Sequence, residues 1–386
     1  GKAQLRRLAR AAVALTIAAG VVVVSWAALG PVGFSSLLDG LELVGRQGTG
    51  FPTEISYNSS IRGALLGQSF ALLEPTQLKV FSGNGYESLR RTQTYAAPVL
   101  KAAGGRALLF SRESGNLSLL SRTRLLYEKT LPQALLCADL DAGGNVAAAT
   151  RAATAASEVT VWDHKQRQRF AWQCANEYPT ALRLNKNQLA LCMAGTAQAE
   201  VYARFVVFSF GKEAPLLDLL LDGAWLYGAA AQQKGWLAVG DQAVYWIAQN
   251  NADAKAVPFS YEGRALKRFD AENNGYCAVL LEDWENRTLL RVYNSAGLLV
   301  LEQRFRYNSG AGQPLGLVCK GGTVYVCFEN AALRWQKSSG FRQSQPLPKK
   351  TQQAFFAARG NAYFFTARSV EHMQLQWGPV ENGVLD

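Results

Sequence analysis

A repeat of about 40 residues runs through most of the chain and restricts its fold more than any other feature. Its mark is an aromatic residue ending a strand-like run, found at Phe81, Trp162, Phe208, Trp246, Tyr293, Trp335 and Trp377. The separations are 81, 46, 38, 47, 42 and 42 residues, and the double first gap contains a weaker run, Asn116 to Leu120. Helical and leucine-rich solenoids have shorter periods, so the spacing predicts an all-β propeller.

Within each repeat, two β-rich runs flank a short polar turn, and a third run follows. Gly and Asn dominate these turns because they tolerate the positive φ that tight hairpins require. Eight inner strands are predicted to begin near Ile61, Pro98, Ala134, Thr180, Leu226, Leu266, Leu315 and Ala354. We therefore predict an eight-bladed propeller, with seven blades as the alternative because the second unit is weak.

The N-terminal segment resembles a membrane anchor. Residues Ala11 to Leu29 carry no charge, and they follow the basic residues Lys2, Arg6, Arg7 and Arg10. Such a run spans about 29 Å as a helix, which is close to the hydrocarbon thickness of a bilayer. Because basic flanks stay in the cytoplasm, the remainder is predicted to lie outside. A cleaved signal peptide with its site near Ser25 is the alternative, and it exports the same remainder.

These patterns divide the chain into five predicted parts. They are a cytoplasmic flank at 1–10, a transmembrane helix at 11–30, a juxtamembrane stalk at 31–49, a propeller at 50–378 and a tail at 379–386. The stalk is apolar at helical spacing over 34–44. A spare strand at 53–57 is expected to complete the last blade, because this pairing removes both sheet edges.

Composition excludes several classes of protein. A hydrophobic content of 49% excludes a disordered chain, and a charged content of 18% excludes a coiled coil. Beyond the N-terminal flank, 36 basic and 29 acidic residues give a net charge of +7 that is spread along the chain. This pattern predicts an evenly charged soluble surface, with attraction to anionic lipids or wall polymers as the alternative. The six cysteines form no CxxC motif, so we predict buried thiols rather than a metal site, with disulfides as the alternative.

Four short strings resemble an uncharacterised family of single-pass, membrane-anchored β-propellers from Gram-positive bacteria. They are Gly48 to Pro52, Tyr95 to Pro98, Gly105 to Phe110 and Ser157 to Asp163. The resemblance spans the chain and implies the fold and topology, but no activity. A looser similarity is to quinoprotein-like eight-bladed propellers. Their regular Gly and Trp docking repeat is missing here, so no cofactor is carried over.

Candidate interaction residues form small groups. Arg122 and Arg124 make one basic group, the turn of His164, Lys165, Arg167 and Arg169 makes another, and Trp284 is predicted to be exposed on a loop. Either basic group suits an anionic partner or a solvated rim. Nucleic acid is not expected, because the aromatic residues are not interleaved with these charges.

The sequence predicts no catalytic or metal-binding residue. Only two histidines are present, no GxSxG elbow occurs, and the string Asp139 to Asn145 lacks the final Glu of a calcium loop. The carboxylates Glu282, Asp283 and Glu285 are typical of a solvated loop, with cation binding as the alternative. We expect a non-enzymatic interaction or scaffold module in the cell envelope, with a protein or wall polymer as partner. The alternative is a ligand sensor or enzyme that uses the channel mouth.

Overall fold

The computed structural model describes residues 13, 16, 20, 32, 34–55, 62–221, 223, 225–249, 254–284, 287–306, 314–344, 346–357, 360–380, 384 and 385. These residues contain a helix, α1, at residues 34–43, and 33 strands. The strands form eight antiparallel sheets. Seven four-stranded sheets and one five-stranded sheet, which follow one another along the chain and contact their neighbours mainly through their first strands, form an eight-bladed β-propeller, which confirms the predicted fold class.

The first four blades follow the chain without interruption. Blade 1 contains β2 (Arg62–Leu66), β3 (Ser69–Leu73), β4 (Gln77–Phe81) and β5 (Glu87–Thr92). Blade 2 contains β6 (Pro98–Ala103), β7 (Arg106–Ser111), β8 (Asn116–Ser121) and β9 (Leu125–Thr130). Blade 3 contains β10 (Leu135–Leu140), β11 (Val146–Arg151), β12 (Ser157–Trp162) and β13 (Gln168–Cys174). Blade 4 contains β14 (Tyr178–Asn185), β15 (Gln188–Ala197), β16 (Glu200–Ser209) and β17 (Leu217–Leu221).

The last four blades include the closure of the ring. Blade 5 contains β18 (Leu226–Gln232), β19 (Gly235–Gly240), β20 (Ala243–Ala248) and β21 (Ala256–Ser260). Blade 6 contains β22 (Leu266–Ala271), β23 (Cys277–Asp283), β24 (Arg287–Tyr293) and β25 (Leu299–Arg306). Blade 7 contains β26 (Pro314–Lys320), β27 (Thr323–Phe328), β28 (Ala332–Gln336), β29 (Gly340–Ser344) and the added β33 (Trp377–Gly378). Blade 8 contains β30 (Gln353–Phe356), β31 (Asn361–Phe365), β32 (Ser369–Gln374) and β1 (Thr53–Glu54).

The strand that precedes the first blade closes the ring. Thr53 pairs with Val370, and Glu54 pairs with Ser369, so β1 becomes the outermost strand of blade 8. This pairing joins the N-terminal side of the propeller to its last blade and covers one edge of that sheet. The chain reaches β1 through Gly48, where a Cβ would overlap the backbone of Asn84.

The burial pattern explains why the repeat is visible in the sequence. The second strand of a blade packs against both neighbouring blades, so β3, β7 and β19 are buried along their whole length. A strand buried on both faces is apolar without alternation, whereas the outer strand β5 is partly or fully exposed at every position. The apolar core is therefore divided into layers between blades.

The aromatic marker has the predicted place in six of seven cases. Third strands end at or near Phe81, Trp162, Phe208, Trp246, Tyr293 and Trp335. The prediction is wrong for Trp377, which lies in β33 and pairs with Ser344 at the outer edge of blade 7. The spacing was misleading because the chain leaves blade 8 after β32 and adds a short strand to the preceding blade.

The loops divide into two faces. We label the strands of each blade A to D from the channel outward. Turns between A and B and between C and D lie at one end of the blades, which we call the AB/CD face. Loops between B and C, and those that lead from D to the next blade, form the BC/DA face.

The structure describes little of the predicted anchor. The segment 11–30 lies outside the described residues except for Val13, Thr16 and Gly20, and so do its bounds Ala11 and Leu29. Among the residues that the structure describes, no helix has the length and apolar character needed to span a membrane.

The cysteines are buried, as predicted. All six are described and carry free thiols: Cys137, Cys174, Cys192, Cys277, Cys319 and Cys327. Burial raises the pKa of Cys137 to about 12. A thiol with so high a pKa is a poor nucleophile at neutral pH, so these residues act as small apolar side chains.

Candidate functional site

Five blades contribute to a cavity of about 580 Å³ at the AB/CD mouth of the channel. Charged side chains from the inner strands of blades 2, 3, 4 and 6 line it, and their signs alternate along the chain: Lys101, Asp139, Arg183 and Asp270. Apolar side chains such as Leu140 and Leu184 lie between these charges, so the described lining is mixed and offers ionic contacts to a polar ligand. The mouth is therefore one candidate site.

Asp139 connects three neighbouring blades. Its Oδ1 lies 3.4 Å from Nζ of Lys101 in blade 2, and its Oδ2 accepts the backbone N–H of Leu184 in blade 4 at 2.8 Å. Asp139 itself belongs to β10 of blade 3. The Asp139 carboxylate therefore holds the inner strands of these blades together and also places a negative charge at the channel mouth.

Arg183 bridges blade 4 and blade 6. Its Nη2 donates to the Ala271 carbonyl at 2.6 Å, and its Nε donates to Oδ1 of Asn273 at 3.0 Å. The same amide oxygen accepts the N–H of Ala231 in blade 5 at 3.1 Å. Three blades thus meet at Asn273, which the sequence search did not single out.

Asp270 repeats the arrangement of Asp139 three blades further on. Its Oδ2 accepts the backbone N–H of Cys319 in blade 7 at 2.7 Å. Desolvation raises the pKa of Asp270, because the cost of burying the charge exceeds the gain from the Cys319 N–H and from nearby Arg183. A buried carboxyl with a raised pKa at a cavity is the kind of group that proton-linked binding uses.

The first predicted basic group binds α1 rather than facing outward. The fully buried Asp39 of α1 accepts Oγ of Ser121 at 2.7 Å and the Arg122 N–H at 3.1 Å. Arg122 Nε lies 3.6 Å from the Asp39 carboxylate, and Arg124 also pairs with Glu42. Both arginines therefore hold the helix against the AB/CD face of blade 2.

A second contact fixes the start of this helix. Arg106 is buried and donates to the Val32 carbonyl from Nε at 3.1 Å and from Nη2 at 2.6 Å. Its Nη1 reaches the Ala142 carbonyl in blade 3 at 2.6 Å. Burial lowers the pKa of this guanidinium, which nevertheless remains protonated. The segment predicted as a stalk thus contains a helix that is docked on the propeller.

The second predicted basic group lies on the C–D turn of blade 3. Asp163 at its centre accepts the N–H groups of Lys165 at 2.8 Å and Arg167 at 2.9 Å, and the Arg167 guanidinium. Arg169 is exposed nearby, and His164 is half-buried. Asp163 therefore fixes the backbone of the turn. The turn presents the exposed Arg167 on the AB/CD face.

Trp284 lies on the opposite, BC/DA face. It is 65% exposed, as predicted, and Arg264 stacks on its ring at 4.2 Å from the centroid. The prediction of a solvated carboxylate loop is wrong for Asp283, which is buried between Arg264 Nε at 2.9 Å and Arg304 Nε at 2.9 Å. Glu285 lies outside the described residues.

The BC/DA face contains a groove that the sequence did not predict. Tyr178, Val201 and Trp225 are 49%, 49% and 43% exposed, and they line an apolar cavity of about 260 Å³ between blades 4 and 5. The sequence predicts core packing for Trp225, as for Trp172 and Trp236, and its exposure shows that this prediction is wrong. One signal was available, because Trp225 precedes a first strand and therefore stands out of phase with the third-strand aromatics.

A polar group stands beside this groove. Glu177 accepts the Tyr202 hydroxyl at 2.9 Å and Nη1 of Arg204 at 2.9 Å. Burial opposes ionisation of Glu177, but hydrogen bonds from Cys174, Tyr202 and Arg204 together outweigh it and lower its pKa. An apolar centre with a polar margin is the usual anatomy of a protein interface.

Acid should destabilise the propeller. The pKa values of Asp163, Glu177 and Asp283 lie below the ordinary 3.8 or 4.5, because their hydrogen bonds and ion pairs outweigh burial. Stability from such groups is present above the ordinary pKa and is lost as pH falls through the folded value. The pKa of Asp270 is shifted in the opposite direction, above its ordinary value, so its ionisation lowers stability as pH rises. Hydrogen bonds from Arg264 and Arg291 also lower the pKa of Glu262, and burial lowers that of His372, so five groups oppose Asp270. The thermal midpoint is therefore expected to fall from about pH 6 to about pH 3.

Asp163→Asn provides the control for this pH dependence. The variant removes one titrating group and should show a shallower fall of the midpoint in acid than the parent chain. A midpoint that rises as the pH is lowered over this range would contradict the assignment of the dominant carboxyls.

Neither histidine lines the channel cavity. His372 is half-buried against Phe51, with ring centroids 5.3 Å apart, and its Nε2 lies 3.0 Å from Oδ1 of Asn361. Burial lowers the pKa of His372, so the ring is neutral at physiological pH. Within the described residues, no group of three or more His, Cys, Asp or Glu side chains is placed to hold a metal ion.

Comparisons with known proteins report the fold alone. No family model matches the chain, and no curated protein sequence matches it. The Dos1 propeller superposes with a TM-score of 0.59 at 8% identity over 86% of this chain and 97% of that chain. Apo AztD from Citrobacter koseri has a TM-score of 0.46 at 9% identity, over 85% of this chain and 90% of that one. The chain is therefore similar to β-propellers, and membership of the Gram-positive family is not shown.

Proposed function

We propose that the chain is a membrane-anchored, extracytoplasmic propeller that binds another protein of the cell envelope through the groove of Tyr178, Val201 and Trp225. The observation that carries the proposal is the exposure of three large apolar side chains around one cavity on a single face. Contiguous apolar surface of this kind marks interaction sites on soluble domains. Propellers commonly act through such faces, with function carried by their loops.

The shape of the groove favours a protruding apolar side chain from the partner. A cavity of about 260 Å³ accepts one large side chain, and Tyr and Trp are enriched among the residues that dominate interface energies. The neighbouring Glu177 and Arg204 offer polar contacts at the margin. We infer a protein partner rather than a polysaccharide, because the lining is almost wholly apolar.

Anchoring is proposed from the sequence. The uncharged run Ala11 to Leu29 is long enough to cross a bilayer, and the basic residues before it favour a cytoplasmic N-terminus. The resemblance to Gram-positive envelope propellers implies the same topology. A flotation assay of membranes after alkaline extraction tests this part alone.

The partner is tested by photocrosslinking in intact cells. A photoreactive residue at Val201 should yield a discrete adduct, and Trp225→Ala should reduce its yield about tenfold or more, since central aromatic residues contribute about 2 kcal/mol or more. Trp284→Ala is the matched control, because it removes an exposed tryptophan from the same face outside the groove. Recovery of only uncrosslinked chain, or equal loss in both variants, would contradict the proposal.

A second candidate function is recognition of a small polar ligand at the channel mouth. The convergence of Lys101, Asp139, Arg183 and Asp270 on one cavity favours it. The mixed charges suit a zwitterionic molecule. Thermal-shift screening of such molecules should give a stabilisation that Lys101→Ala abolishes, whereas failure of every ligand to shift the midpoint would argue against this candidate. Enzymatic activity is not part of either proposal.

A further inference from the structure

The position of α1 identifies the face from which the predicted anchor approaches. Val32 is held by Arg106 beside the A–B turn of blade 2, and Asp39 is held by the C–D loop of the same blade. Both contacts lie on the AB/CD face. The chain between the uncharged run ending at Leu29 and Val32 is two residues long, so the anchor must begin next to this face.

The outer side of α1 is apolar. Leu37 and Leu41 are 53% and 66% exposed, and their spacing of four residues places them along one side of the helix. Val44, in the turn that follows the helix, is 76% exposed. Phe34 and Asp39 are buried on the side that packs against the propeller. Helices that lie in a membrane interface have such an apolar stripe beside a polar face.

Exposed lysines lie on another part of the same face. They lie on A–B or C–D turns of blades 4, 5 and 7, which α1 leaves uncovered: Lys186, Lys212, Lys234, Lys255 and Lys337. Among the described residues of these turns, Glu213 is the exposed acid. The BC/DA loops instead carry both signs among their exposed residues, including Glu113, Glu200, Glu262 and Glu329 beside Arg112, Lys349, Lys350 and Arg368.

We propose that the AB/CD face lies flat against an anionic phospholipid surface, with Leu37, Leu41 and Val44 inserted among the lipid headgroups. This inference rests on the proposed membrane anchoring and adds the orientation and lipid contact of the propeller. A lysine near an anionic leaflet contributes attraction equivalent to roughly a fivefold change in binding. An anionic lipid surface accounts for both features, because it can contact the apolar stripe and the lysines together over one wide face.

The orientation has a consequence for both candidate sites. The groove at Trp225 lies on the BC/DA face and points away from the membrane, where an envelope partner has access. The charged channel mouth faces the lipid headgroups. The docked helix α1 fixes this arrangement, because Asp39 and Arg106 hold it against blade 2, and Arg106 also binds the Ala142 carbonyl of blade 3.

The test uses the full chain reconstituted in vesicles of phosphatidylcholine with or without phosphatidylglycerol. Because the six native thiols are buried, a cysteine introduced at Leu41 is the reactive position for an environment-sensitive fluorophore. Leu41→Cys should show a blue-shifted emission that lipid-borne nitroxides quench. Glu113→Cys, on the opposite face of blade 2, is the matched control and should show neither effect.

The contribution of the lysines is tested on the labelled chain. Lys186→Glu combined with Lys234→Glu and Lys255→Glu should abolish the increase in quenching that phosphatidylglycerol produces. Equal emission from the Leu41 and Glu113 labels in vesicle-bound chain would overturn the orientation while leaving the anchor intact. Chain that fails to float with vesicles after alkaline extraction would overturn the anchor, and the orientation with it. Quenching at Leu41 that is independent of phosphatidylglycerol would overturn the anionic-lipid assignment.

Discussion

Replacing Asp39 with alanine is expected to release α1 from the propeller while leaving the eight blades folded. The carboxylate accepts Ser121 Oγ, the Arg122 N–H and Thr123 Oγ1 at 2.8 Å, and it is fully buried. Hydrogen bonds to a charged acceptor contribute about 1.5–3 kcal/mol each, and their loss leaves buried donors without partners. We expect the docking of α1 to weaken by about 3 kcal/mol in total, since these bonds are not additive.

Hydrogen exchange measures this release directly. Backbone amides of residues 36–43 should exchange faster by about two orders of magnitude in Asp39→Ala, while those of β7 keep their protection. Glu42→Ala is the matched control on the same helix. Its partner Arg124 is 40% exposed, so the pair contributes less than about 1 kcal/mol.

Two outcomes would contradict this account of the Asp39 contacts. Unchanged exchange of α1 in Asp39→Ala would mean that apolar packing of Val32 and Phe34 is sufficient to hold the helix. Faster exchange throughout all blades would mean that α1 is part of the cooperative core rather than an appended element. In the vesicle experiment, released α1 should also lose its fixed relation to the lysine-bearing turns.

The blade count was predictable because the responsible interactions are local. Each blade is a meander of hairpins, so the turn residues and the buried second strand appear close together in sequence. Predicted inner-strand starts at Pro98, Leu226 and Leu266 coincide with the first residues of β6, β18 and β22. The weak second unit is a complete blade, since β8 packs Leu117 and Leu119 fully into the core without needing a terminal aromatic.

Features that join distant parts of the chain were not predictable. Asp39 meets Ser121 across 82 residues, and Arg183 meets Asn273 across 90. Nothing near either residue in sequence reveals its partner. Trp377 was misassigned for the same reason, because its pairing with Ser344 in blade 7 crosses blade 8.

Site prediction had a further limit, because the exposure of a charged side chain depends on residues that are distant in sequence. Arg122 and Arg124 had the composition of an anionic-partner site, yet the negative side chains that meet them come from α1. Asp283 looked solvated within an acidic loop, yet it is enclosed by Arg264 and Arg304. In each case the deciding charge is supplied by a residue at least 19 positions away.

Trp236→Ala is expected to destabilise the propeller by about 3 kcal/mol, near the lower end for a buried tryptophan. Its side chain is fully buried between blades 4 and 5, with its ring 6.1 Å from that of Phe205. The indole N–H of Trp236 is buried without a hydrogen-bond partner among the described residues. Truncation to alanine also removes this unsatisfied donor, which reduces the loss of stability. Trp236→Phe keeps part of the ring and removes that donor, and should therefore cost less than the alanine variant.

Trp225→Ala is the matched control. Both variants and the parent chain are measured by thermal unfolding of the full chain in one mild detergent. The two tryptophans stand in similar strings, Trp225-Leu226 and Trp236-Leu237, yet the first is 43% exposed and the second is fully buried. Trp225→Ala should change stability by less than about 1 kcal/mol while weakening partner capture, because it removes groove surface rather than core. Trp236→Ala should lower the midpoint and release the partner only as the fold is lost. Equal destabilisation by both variants would place Trp225 in the core and remove the groove as a binding surface.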